Sequence, residues 1–161
     1  MAKSPQVLST GPLDNLVAEV HNLLGPGDPL VSLGRPLLPS FLQDVPPGLP
    51  YEDVQYLDAK GVFDIPDVRL CRKLLTAFVE HVYPFLPVLD LEPFLEAAAR
   101  NDGTKQISLL LFHAVMFSAT AFVEWSYLHE AGYHSRKEAR RSFIHKARVR
   151  QILPRLPKEY P

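Results

Sequence analysis

The sequence predicts an all-α chain, a helical domain preceded by a proline-rich N-terminal linker. Three observations carry that prediction. Apolar residues recur at helical spacing over residues 13–24 and again over 70–82. Residues 107–123, ISLLLFHAVMFSATAFV, carry no formal charge and only one strongly polar side chain, His113. No segment alternates apolar and polar residues with the period of two that a half-buried strand requires.

The elements follow in order. Leu13, Leu16, Val17, Val20, Leu23 and Leu24 line one face of a helix of roughly three turns, stopped by Gly25-Pro26. A helix that short is marginal alone, so it is expected to dock as an arm or to serve as a partner-binding motif. Seven of the sixteen prolines then fall between residues 25 and 50, with four glycines among them. Proline lacks a backbone donor and pushes its predecessor out of the helical region, which makes this stretch an extended linker. Within it, Phe41 is expected to matter little for stability. The chain thus divides into an arm and linker (1–50), a helical domain (51–150) and a tail (151–161).

Within the domain, YEDVQYLDAK (51–60) reads as a helix ended by Gly61. Asp67 is placed to cap a helix whose stripe is Leu70, Cys71, Leu74, Leu75, Phe78, Val79 and Val82, halted before Pro84. Asp90 starts a shorter helix containing Phe94, Leu95 and Ala98, with Pro93 tolerable in its first turn. Asp102-Gly103-Thr104 is a turn. The apolar stretch follows as a helix from 107 to about 128. Ser135 and Glu138 have capping-box spacing and open a last, basic helix.

The apolar stretch has two readings. As a span it gives a small membrane-anchored protein, but seventeen uncharged residues only reach the bottom of a range centred near 20. As core it supplies what the stripe at 70–82 and the helix at 91–98 need to cover, and this is the preferred reading.

Composition and motifs exclude several classes. A single cysteine, Cys71, leaves no disulfide framework and no cysteine-rich zinc site, and its place in the apolar stripe predicts a buried, inert thiol. The N-terminus lacks the apolar core of a secretory signal. HEAGYH (129–134) is one residue longer than HExxH, which swings the second histidine about 140° from the first at 100° per residue. His113 is expected to be a core histidine bonded to a backbone carbonyl. Glu80, His81 and Glu92 have no nucleophile beside them, and no phosphate loop or GxSxG occurs. The sequence therefore predicts no enzyme, no metal and no cofactor. Residues 136–150, RKEARRSFIHKARVR, set seven cations against one acid, with Ala139, Phe143, Ile144 and Ala147 as the inward stripe. Arg136, Lys137, Arg140, Arg141 and Arg148 form a candidate basic contact face, either simply solvated or meeting a partner or a nucleic-acid backbone.

YLDAKGVFDIPD, FVEHVYPFLPVLDLEPFL, DGTKQISLLLFHAVMFSATAFVE and LHEAGYHSRKEARRSFIHKAR, with the lead-in LLPSFLQDVPPGLPYEDVQYL, resemble fungal-specific transcription factor domains from about Leu38 to Arg148. The resemblance implies a nuclear regulator of cutin and fatty-acid catabolism genes that works through protein contacts, with a fatty-acid-like effector and no membrane partner. It also implies a zinc-binuclear-cluster DNA-binding domain. That cluster needs six cysteines in a short run, so zinc and DNA reading are expected only in a domain absent from this chain. Such domains continue after the basic helix, whereas here QILPRLPKEYP follows. The chain therefore reads as a fragment, expected to leave apolar surface open along Leu70, Leu74, Phe78 and Val82 or along the far side of 107–123, and to self-associate.

Overall fold

The computed structural model describes residues 38–46 and 48–152, and the arm predicted at 13–24 lies outside them. Six α-helices make up the described fold: α1 Tyr51–Ala59, α2 Val68–Ala77, α3 Leu91–Arg100, α4 Leu109–Ala119, α5 Trp125–Glu130 and α6 Arg136–Ile152. Among the described residues there is no strand. One parallel bridge pairs Leu42 with Ile107.

The helix boundaries follow from local chemistry. α1 ends where Gly61 takes a left-handed conformation (φ 66°), with its N–H on the Asp58 carbonyl. α2 begins at Asp67, whose carboxylate accepts from the N–H groups of Arg69 (2.9 Å) and Leu70 (3.1 Å). It then widens into a π-helical turn, Phe78–Val82, closed by Tyr83 N–H on the Phe78 carbonyl. The Ser108 hydroxyl caps α4 by accepting from Leu111 N–H. Asp90 occupies the residue before α3, but its side chain makes no capping bond. α3 ends at a left-handed Asn101, a residue type that tolerates that conformation. At α6 the capping box departs from the usual pattern. Glu138 N–H bonds the Ser135 hydroxyl (3.0 Å), while the Glu138 carboxylate reaches back to His134 N–H (2.8 Å) rather than to Ser135.

The core is organised around α4. It packs most extensively on α6, and also on α2 and the π turn, while α5 touches α2 and α6. Phe112, Val115, Met116 and Ala119 of α4 and Ala139 and Phe143 of α6 are each at most 2% exposed. The predicted stripe of α2 is closed over as well. Leu70, Leu74, Phe78 and Val82 are all buried, so the expectation that it stays open is corrected.

Two further expectations are revised. The apolar stretch is not one helix to residue 128, because α4 stops at Ala119 and α5 restarts at Trp125. No glycine or proline breaks it. The hydroxyls of Ser118 and Thr120 turn back onto the carbonyls of Val115 (2.8 Å) and Met116 (2.7 Å), which competes with helix propagation. Arg136 Nη1 then donates to the carbonyls of Thr120 (2.6 Å) and Val123 (2.7 Å), satisfying acceptors that a continued helix would have used internally. Eleven residues at 1.5 Å each give about 16 Å, roughly half a hydrocarbon core. No described helix is long and apolar enough to cross a membrane.

The second revision concerns the linker. Its last part is core: Phe41 is 2% exposed and its ring lies 5.8 Å from that of Phe112, with Leu42 equally buried. The backbone is fixed there too. Phe41 N–H bonds Asn101 Oδ1 (3.0 Å), and Ile107 N–H bonds the Phe41 carbonyl (2.7 Å). Phe41→Ala should therefore destabilise like Phe112→Ala, by about 3–5 kcal/mol each, as read by urea unfolding. A Phe41→Ala loss under about 1 kcal/mol would return the segment to the role of a spacer.

Candidate interaction surfaces and the buried polar ties

Three polar side chains that point inward decide which charges are left for the surfaces of this fold. His113 on α4 is fully buried, with Nε2 2.8 Å from the Val62 carbonyl. A carbonyl only accepts, so Nε2 carries the proton and donates. Among the described residues Nδ1 meets no partner, and it is the atom that would take a second proton. Burial, the dominant cause, and the nearby Lys146 ammonium push this histidine down to about 4, against the weaker opposing pull of the Val62 bond and the Asp64 carboxylate. It is a core histidine tied to a carbonyl, as the sequence suggests.

Lys146 is the unexpected one. It is 9% exposed, and its ammonium donates to the Asp64 carbonyl at 3.0 Å, with the Asp64 carboxylate 4.0 Å away. Burial lowers its pKa and Asp64 pulls it back up. His113 and Lys146 therefore fasten the loop after α1 through two carbonyls two residues apart, one tie from α4 and one from α6. The third inward group is Arg136, described above. Cys71 is also buried, and desolvation pushes its thiol up to about 12, which removes thiolate reactivity near neutral pH.

The candidate basic face is resolved residue by residue. At 100° per residue, Lys137, Arg141 and Arg148 lie within about 40° of one another around α6, and all three are exposed. Arg140 is exposed as well, with its guanidinium 4.9 Å over the Phe117 ring. Arg136 lies about 100° from Lys137, on the side of Ala139 and Phe143, and is half-buried. Helix-wheel arithmetic applied to Arg136 alone would have separated it from the face. The same arithmetic puts Lys146 among the inward residues. A second surface went unread in the sequence. Phe85 (86% exposed), Val88 (70%) and Leu86 form an apolar projection after the π turn, and beside it runs an open groove of about 720 Å³. Among the described residues, no three histidine, cysteine or carboxylate groups converge as metal ligands, and His129 and His134 of HEAGYH are both exposed.

The chain is homologous to fungal transcription factors over about two thirds of its length. It is 47% identical over 113 residues to cutinase transcription factor 1 beta of Fusarium vanettenii, which is 70% of this chain and 13% of that protein. Transcription factor cpaR of Aspergillus oryzae is 38% identical over 112 residues, 70% of this chain and 19% of its own length. The fusaric acid cluster transcription factor of Gibberella moniliformis is 33% identical over 104 residues, 65% of this chain and 15% of that protein. The chain thus spans less than a fifth of each. No protein-family model and no solved structure matches it.

Two outcomes follow. A histidine held neutral in the fold makes stability fall as pH drops from about 6.5, its ordinary value, toward about 4, and level off below. The loss amounts to at most about 3 kcal/mol, and thermal unfolding of His113→Leu should lack that slope. Binding of the chain to DNA, measured by mobility shift, should be weak, indifferent to sequence and abolished by moderate salt, because the exposed cations can only meet phosphates. A salt-resistant, sequence-dependent shift would contradict this.

Proposed function

We propose that this chain is a segment of the regulatory region of a nuclear fungal transcription factor, acting through protein contacts rather than catalysis. The observation that carries the reading is the 47% identity to cutinase transcription factor 1 beta over 113 residues. The chemistry agrees with it. His113, Arg136 and Lys146 are spent on backbone carbonyls, and neither Cys71 nor His113 is poised to react. What remains for function is surface: the cations Lys137, Arg140, Arg141 and Arg148, which suit an acidic partner segment, and the apolar projection at Phe85. Arg136 contributes to this face through its placement of α6 rather than as a contact.

In this reading DNA is read by a zinc-cluster domain outside this chain, and the target genes are those of cutin and fatty-acid breakdown. A fatty-acid-like effector and self-association through exposed apolar side chains complete the proposal. The test is a chimaera in which residues 38–148 replace the matching segment of cutinase transcription factor 1 beta. A cutinase-promoter reporter should keep its induction, and Lys137→Glu/Arg141→Glu in the chimaera should lower it several-fold. A chimaera that accumulates normally yet leaves the reporter uninduced would overturn the reading.

A further inference from the structure

The groove beside the Phe85 projection has a largely apolar lining, with the charged side chains of Asp90 and Lys105 also on it, and a defined neighbour. Val88, Leu89, Phe94, Ile107 and Leu111 line it, and Gln43 sits at its rim. Val88 is 70% exposed and Leu111 36%. The chain enters the fold at that same rim. Gln106 donates to the Ser40 carbonyl, and Gln43 N–H bonds the carbonyl of Ile107, itself a groove residue. Upstream of this entry the sequence holds a segment with one apolar face, Leu13, Leu16, Val17, Val20, Leu23 and Leu24.

We propose that residues 13–24 dock in this groove as an intramolecular strap, laying that face against Val88, Leu89 and Leu111. Two magnitudes favour this occupant over a second copy of the chain. Residues 25–37 lie between the segment and Leu38, and a tether of that length reaches up to about 45 Å from a chain that enters the fold beside the groove. A tether of this kind also sets an effective concentration in the millimolar range, above the micromolar range in which a second molecule would compete. The segment is too short to be a stable helix in water, so apolar cover would be gained by both surfaces at once. The inference stands independently of the regulatory reading, since it concerns only how this chain covers its own surface.

The test uses the 161-residue chain carrying Val88→Cys, whose native Cys71 is 3% exposed and silent. Maleimide labelling should be about tenfold slower than in the same chain with Leu16→Asp and Val20→Asp added, and the difference should persist on dilution. Both substitutions lie outside the described core, and matching thermal unfolding of the two proteins would confirm that the fold is intact. Equal labelling rates would overturn the proposal. So would protection that disappears on dilution, which would assign the groove to a second copy.

Discussion

The fold depends on one constraint: α4 carries no charged residue, and the wide apolar arc that runs from Val115 through Phe112 to His113 has to be covered. Phe112, Val115, Met116 and Ala119 stand at i, i+3, i+4 and i+7 on one side of an eleven-residue helix, each at most 2% exposed, while Leu111 and Ala114 on the other side stay exposed. Covering them takes α6 along one side, α2 and its π turn along another, and Phe41 near the N-terminal end. No single amphipathic partner could do this, which is why a segment outside the regular helices is drawn into the core. The hydrophobic gain from such burial is non-directional and would tolerate many arrangements. Direction comes from the polar ties.

Those ties share a logic. His113, Lys146 and Arg136 each donate to backbone carbonyls left over where a helix ends or a loop turns. An orphaned carbonyl in an apolar setting costs about 1–3 kcal/mol, so a matched donor fixes one packing of the helices among several that hydrophobic contact alone would allow. The result is a body whose charged groups are partly structural. The outer side of α6 carries the cations Lys137, Arg141 and Arg148, which are exposed and available for contact.

Local chemistry was legible in the sequence where both partners lie within a few residues. The Asp67 cap, the Gly61 stop, the stripe of α2 and the Ser135–Glu138 pairing are all decided at that range. So was the environment of His113, because an isolated imidazole in an apolar run has few other fates. What escaped were decisions made at long range. Phe41 looked idle because the proline-rich stretch has no period, and its partner Phe112 lies seventy-one residues on. Lys146 read as one more surface cation because the Asp64 carbonyl is eighty-two residues away. The interruption of the apolar run at Thr120 carries no local breaker, and the groups that stabilise it include a guanidinium from the next helix. The apolar groove was missed for a related reason: its walls come from 88–94 and 107–111, each unremarkable in isolation.

The π turn at Phe78–Val82 has a bearing on how this region can change over generations. A π turn holds one residue more than the α-helical turn it replaces, and reads as a single-residue insertion accommodated without breaking the helix. Deleting one residue there would restore a regular α-helix and rotate everything beyond it by about 100°. The Phe85 projection leaves the body immediately after this turn, so its direction is set by that one extra residue. Length variation at this point is thus a simple route by which related chains could re-aim an apolar contact while leaving the core around α4 untouched.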